Sequence, residues 1–170
     1  PLFLIRPGDE ALDAVLAARG YRLVDPVLAY AVPLAGIAQP ERMTTFPHWP
    51  PMAIARALWS DAGIGPARVA VMERAAGPKC VILGRVQDRA AGVAFVACHG
   101  DTAMLHALEV VPALRRQGSA HNILRAAAAW ALDQGAATLS LVVTEANATA
   151  RGLYASLGMN LVGQYHYRQK

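Results

Sequence analysis

The sequence predicts a mixed α/β fold in which an antiparallel run of strands leads into an alternation of helix and strand. Residues 79–86, 91–99 and 104–111 are apolar and β-prone, and turn residues sit between them at Gln87-Asp88-Arg89 and Gly100-Asp101. Consecutive antiparallel strands read this way. Downstream, Ile123, Leu124, Ala127, Trp130 and Ala131 recur at helical spacing, as do Ala150, Leu153, Tyr154 and Leu157, and a buried-strand run at 138–143 lies between the two sets. Those periods predict helix, strand, helix.

The elements follow in order from the amino terminus. The first thirty residues read strand, capped helix, glycine, strand. Shifted by 138 residues, Gly20 falls on Gly158, Ala17 on Ala155, Leu23-Val24 on Leu161-Val162, Leu16 on Tyr154 and Asp9 on Asn147. The same supersecondary unit is therefore expected at both ends of the chain. Residues 25–33 form its second strand, and the apolar run from Val27 to Val32 suits a covered strand rather than a free edge. After Gly158 there is room for only one strand, 160–168, so residues 27–32 are expected to ladder onto it, from the same chain or from a twofold mate in a homodimer. Residues 43–49 read as a loop rich in aromatic and turn residues, and 50–61 and 66–75 as two helices.

The stretch Arg115-Arg116-Gln117-Gly118-Ser119-Ala120 joins the strand at 104–111 to the helix that begins at Ser119. A strand that ends at Pro112 and turns into a helix through arginine and glycine leaves backbone N–H groups at the positive end of the helix dipole. That is an anion site, and phosphate is its usual guest. Gly118 lets the backbone approach a bulky pyrophosphate, Ala120 is the next smallest choice, and Arg115 and Arg116 add mobile positive charge.

In these residues the chain resembles the GNAT superfamily of acyl-CoA-dependent N-acetyltransferases. The family's first motif, Arg or Gln, two residues, Gly, one residue, then Gly or Ala, is met by Arg115, Gly118 and Ala120 after the strand Leu108-Glu109-Val110-Val111-Pro112. Its second motif is met by Asn147, Ala150, Leu153-Tyr154 and Gly158-Met159, with Met159 in place of the more usual Phe. The resemblance covers about 104–167. It implies a central, mixed but mostly antiparallel sheet flanked by helices. Taken with the 138-residue repeat, it implies residues 1–33 as a degenerate half of the same fold and 34–170 as the acyl-CoA-binding domain, with Pro1 either a truncation point or the start of a shortened relative.

The resemblance implies acetyl transfer from acetyl-CoA to an amine of a small molecule or of a protein terminus. The alternative is a catalytically silent acyl-CoA-binding or regulatory module. Leu108, Val110, Arg115, Arg116, Gln117, Gly118, Ser119, Ala120 and Asn147 are the expected cofactor contacts. Tyr154 is the expected acid, since a phenol with a pKa of about 10 can protonate a departing thiolate. His106 is the expected base and Glu109 the reserve; in a regular strand His106, Leu108 and Val110 share one face and Glu109 lies on the other. His48, Trp49, Trp59, Tyr165 and Tyr167 are candidates to line the acceptor pocket.

Composition narrows the classes. With 170 residues, 55% of them hydrophobic, the chain can bury one sizeable core. No apolar run is long enough to span a bilayer and no signal-peptide pattern is present, so a cytoplasmic protein without a membrane partner is expected. The net charge of +4 and pI near 9.5 raise nucleic acid as a partner, but the arginines are scattered and lysine occurs only at Lys79 and Lys170, which argues against it. Cys80 and Cys98 read as reduced core residues, and the five histidines lack metal-ligand spacing.

Overall fold

In chain order the elements are β1 (Leu2–Ile5), α1 (Glu10–Ala18), β2 (Arg22–Pro33), β3 (Thr45–His48), α2 (Ala53–Asp61), α3 (Pro66–Arg74), β4 (Lys79–Val86) and β5 (Arg89–His99). There follow β6 (Thr102–Val110), a 3-10 turn (Pro112–Leu114), α4 (Ser119–Asp133), β7 (Thr138–Thr144), α5 (Ala148–Ser156) and β8 (Asn160–Gln169). The structure is a computed structural model and describes residues 1–170. The mixed α/β class is as expected. One element was not: residues 43–49, read as a loop, hold β3. Thr45 to His48 pair with β4, Thr45 opposite Gly84 and His48 opposite Val81. The segment carries Pro47, which a strand tolerates at a sheet edge, where β3 lies.

Contacts divide the chain into two units, Pro33–Ser140 and Pro1–Val32 with Leu141–Lys170. The expected division after residue 33 follows the repeat along the sequence, whereas these units follow contacts in space.

In the unit Pro33–Ser140, β6, β5, β4 and β3 are neighbours in that order and all antiparallel. One face is covered by α2 and α3, whose Ala55, Trp59, Val69 and Met72 pack on Val81, Val93 and Phe95. Successive residues of a strand point to opposite faces, so Gly92, next to Val93, belongs to the other face. There α4 lies, with Ile123 and Leu124 buried.

In the other unit β8 lies between β1 and β2, antiparallel to both. The expected ladder is present within one chain: Val27 pairs with Tyr165, Leu28 with Gln164 and Ala31 with Asn160. Val27, Leu28 and Tyr30 are buried, as a covered strand requires. The repeat is visible in the hydrogen bonds. Gly20 N donates to Ala17 O at 2.9 Å and Gly158 N to Ala155 O at 3.0 Å; Tyr21 N donates to Leu16 O at 3.0 Å and Met159 N to Tyr154 O at 3.1 Å. Both glycines close their helices with a left-handed backbone, φ 80° and 75°. Val27 is paired with its own equivalent in the repeat, Tyr165, so the two copies face each other about a local twofold.

The copies differ inside. The Tyr30 and Tyr154 rings lie 5.9 Å apart, whereas their equivalents are Arg168 and Leu16. Arg168 forms a two-pronged pair with Asp13, Nε to Oδ1 at 2.7 Å and Nη2 to Oδ2 at 2.8 Å, and Nη1 donates to Tyr21 O at 3.2 Å. His166 Nε2 lies 2.8 Å from Asp13 Oδ1. The Arg168 hydrogen bonds first, and then that of His166, hold the Asp13 carboxyl well below the usual carboxylate range. A carboxyl lowered on folding stabilises fully above its unfolded pKa of about 4 and loses that contribution as the pH falls toward the lowered value. Asp13→Asn is therefore expected to lower Tm at pH 7 and to weaken the pH dependence of Tm below about pH 4, measured by circular dichroism melts across pH 2–7.

Candidate functional site

The loop between β6 and α4 is tied down on its β6 side. Leu114 is buried, and Arg115 Nε donates to Val110 O at 3.2 Å, tying the loop back to the strand. Arg116 and Gly118 adopt left-handed backbone at φ 62° and 82°, on either side of Gln117. Left-handed residues in such alternation turn successive amides into an anion-binding concavity. At Gly118 the conformation costs little; at Arg116 it costs about 1–2 kcal/mol. Gly118 O accepts the first helical bond, from Asn122 N at 3.0 Å, but no side chain caps α4. Its first turn thus presents the amides of Ser119 and Ala120 along the positive end of the helix. Ser119 is 4% exposed and its hydroxyl has no hydrogen-bond partner. Arg115, Arg116, Gln117 and Gly118 are exposed. An uncapped helix start, a buried unpartnered hydroxyl and two arginines fit a pyrophosphate.

Glycines in the sheet set the depth of α4. Gly84 and Gly92 are cross-strand partners, and a Cβ at Gly84 would lie 2.6 Å from Ile123 Cδ1 and 2.9 Å from Ser119 Oγ. A Cβ at Gly92 would lie 2.6 Å from Glu109 O. Glycine inside a strand is a sequence signal for close approach, and it pointed to a contact that the reading of motifs passed over. Asn122, buried one turn into α4, was missed as well. Its Oδ1 accepts from Glu41 N at 3.2 Å and so anchors the segment ahead of β3 beside the loop.

The candidate bases are placed differently from the expectation. Phe95 is opposite His106 and Val93 opposite Glu109, so β6 carries one residue more than β5 between these pairs. This is a β-bulge, and Ala107 in it has φ 52°. Cross-strand partners share a face, so His106 and Glu109 lie on the same face as Phe95 and Val93, the face of α2 and α3. Val110, opposite Gly92, is on the α4 face. The regular alternation that grouped His106 with Leu108 and Val110 fails because the bulge inserts a residue at 107 and 108. Both bases are half-buried. Burial, and then the positive charge of Arg68, push the His106 imidazole down and keep it neutral; burial pushes the Glu109 carboxyl up, against the pull of Arg115. Val111 N donates to Ala91 O at 2.8 Å, so the amide of Val110, one residue earlier, is directed to the edge of β6 away from β5.

Trp59 is fully buried and cannot line an open pocket; its Nε1 donates to Ala107 O at 2.9 Å. His48 is half-buried, its Nδ1 3.0 Å from Phe46 O and its Nε2 without a partner. Trp49, partly exposed, meets Phe95 at 6.0 Å and has Lys79 Nζ over its ring. Cys80 and Cys98 are buried and free, and burial pushes the Cys80 thiol up to about 11. No cluster of three or more His, Cys, Asp or Glu side chains could hold a metal ion, and no helix is long and apolar enough to cross a membrane.

Asn147 and Tyr154 lie on α5, in the unit that includes the chain ends. Asn147 Oδ1 accepts from Ala150 N at 3.0 Å and caps the helix. Tyr154 is buried, with its ring against Tyr30. Tyr165 and Tyr167 contact each other edge to face on β8 of the same unit.

The model of the acetyltransferase (GNAT) family matches residues 44–159. The fold is similar to a GCN5-related N-acetyltransferase from Kribbella flavida, with TM-score 0.68 and 21% identity over 94% of this chain and 65% of that one. It is similar to a tandem GNAT protein from the clavulanic acid biosynthesis pathway, solved without AcCoA, with TM-score 0.69 and 14% identity over 98% and 62%. An aminoglycoside N-acetyltransferase in complex with CoA gives TM-score 0.54 and 15% identity over 68% and 90%. At such identities the likeness is one of fold. The chain spans 58% of the Sphaerobacter thermophilus GCN5-related N-acetyltransferase and 65% of the Kribbella protein, about three fifths to two thirds of their length. No curated protein matches the sequence.

Gly92→Ala places its Cβ against the backbone oxygen of Glu109, which cannot rotate away. It is expected to lose about 1–3 kcal/mol of stability, as overpacking does, read from the urea midpoint.

Proposed function

The chain belongs to the acetyltransferase (GNAT) family, and from that premise we propose that it is an N-acetyltransferase that takes its acetyl group from acetyl-CoA and gives it to an amine of a small molecule or of a protein terminus. The observation that carries the reading is the uncapped start of α4 behind the left-handed Gly118, where the buried Ser119 hydroxyl has no partner. The pyrophosphate of the cosubstrate is proposed to lie against the amides of Arg116 to Ala120, with Leu108, Val110 and Asn147 as its further contacts.

Direct transfer needs three services. The amine must be neutral, so that its lone pair can form the new C–N bond. His106 is proposed to take its proton, with Glu109 in reserve; burial favours the neutral imidazole that a base requires. Negative charge gathers on the carbonyl oxygen as the amine adds, and the Val110 amide is proposed to receive it. The C–S bond then breaks with its electron pair on sulfur; Tyr154 is proposed to give the thiolate a proton, and the phenolate to be reprotonated by the second proton that the new amide nitrogen sheds. Its buried ring, held against Tyr30, supports a fixed phenol.

Gly118→Asp sets a negative charge where the pyrophosphate would lie, and the expected result is loss of CoA binding by calorimetry with the circular dichroism spectrum unchanged. Unchanged affinity in the folded variant would overturn the site. Tyr154→Phe keeps the ring and removes the proton. Turnover, followed as free thiol across a panel of amine acceptors, is expected to fall about 10²-fold with CoA affinity unchanged. A wild-type chain that binds CoA and acetylates none of the amines would be the silent module instead.

A further inference from the structure

Trp59 takes no part in the chemistry just described, yet its indole is fully buried and its one polar atom is committed to β6, Nε1 donating to Ala107 O at 2.9 Å. Ala107 is where β6 departs from regular geometry. Its φ of 52° is unusual for a residue with a side chain, and an extra residue enters the strand between the Phe95–His106 and Val93–Glu109 pairs. Such a conformation persists only when its surroundings over-determine it. Two features do so: Ala107 packs against the cluster formed by Ala55, Trp59, Val69, Met72, Val81, Val93 and Phe95, and the indole N–H satisfies its carbonyl.

The bulge fixes the phase of all that follows it in β6. Because the side-chain period of a strand is two, removing one residue from the register turns every later side chain to the opposite face and every later amide to the opposite edge. Without the bulge, Glu109 would pass to the α4 face, away from His106, and the Val110 amide would turn toward β5. We infer that Trp59 is a positioning residue whose indole N–H holds the Ala107 bulge, and so keeps His106 and Glu109 on one face of β6 with the Val110 amide directed away from β5. Its consequence for turnover rests on the acetyl-transfer reading; the clamp itself does not.

Three variants test it. Trp59→Phe removes the donor and part of the ring. Substitution of Trp59 by β-(3-benzothienyl)alanine keeps the volume and replaces only the N–H, and it serves if the first variant does not fold. Trp59→Phe combined with Ala107→Gly lets the backbone hold a positive φ without help. Amide hydrogen exchange at residues 107–110 is expected to quicken at least about tenfold in the two single variants and to return toward the wild-type rate in the double variant. The Glu109 carboxyl titration, followed by NMR, should shift in the same pattern. The turnover rate should fall about 10²-fold in the single variants and recover in the double one. Unaltered exchange and turnover in the benzothienyl variant would overturn the inference, as would a loss that Ala107→Gly does not restore, which would mean that the indole acts through packing alone. A wild-type chain with no turnover on any amine would defeat the acetyl-transfer reading, and the exchange and titration results would still decide the clamp.

Discussion

The close approach of α4 to the sheet is the constraint on which the loop depends. Gly84 and Gly92 face each other across β4 and β5, and neither has room for a methyl group. Dispersion and burial reward this contact only because the helix comes down onto bare backbone, with Ile123 in the space where side chains would stand. The same seating buries the Ser119 hydroxyl. A helix start left uncapped in solvent would find water; one pressed against strands beside a buried hydroxyl keeps its donors oriented for a ligand. Stability and site are therefore set by one packing decision.

The opposite face of the sheet is organised by an irregularity. A strand of regular period would set His106 and Glu109 on different faces; the bulge at Ala107 sets them on one, beside Val93 and Phe95. Their environment then separates them in chemistry, burial favouring the neutral form of both, with Arg68 adding to the effect at His106 and Arg115 opposing it at Glu109. Two titratable groups three residues apart thus differ through the charges that face them.

In the unit that holds the chain ends, two strand-helix-strand segments are alike in backbone and different in interior. Two backbone devices are shared by both copies, the left-handed glycine and the returning amide bond, while a side chain caps the helix start only in the second, at Asn147. The interior is not shared. At one of two equivalent places Tyr30 and Tyr154, one from each copy, bring their rings together; at the other stand Leu16 and Arg168, the arginine bound two-pronged to Asp13. Paired rings contribute about 0.5–1.5 kcal/mol beyond their burial, and a fork of charge-assisted hydrogen bonds adds geometric specificity.

What the sequence determined by itself was local. Helix periods, the glycines that end α1 and α5, the turn at Gly118 and the two family motifs are written in residues a few positions apart, because φ preferences, capping and side-chain spacing act over one or two turns. From them the order of elements and the loop at 115–120 could be read, as could the pairing of 27–32 with the last strand once the apolar run was noticed. Tertiary structure decided the rest. β3 exists because β4 offers an edge to a short, proline-bearing segment, and the faces of His106 and Glu109 depend on a bulge whose carbonyl is satisfied by an indole 48 residues away. The partner of Asp13 lies 155 residues further on. Such contacts join residues whose separate identities are unremarkable, and their free energy appears only when the fold has already brought them together, so no window of sequence contains it.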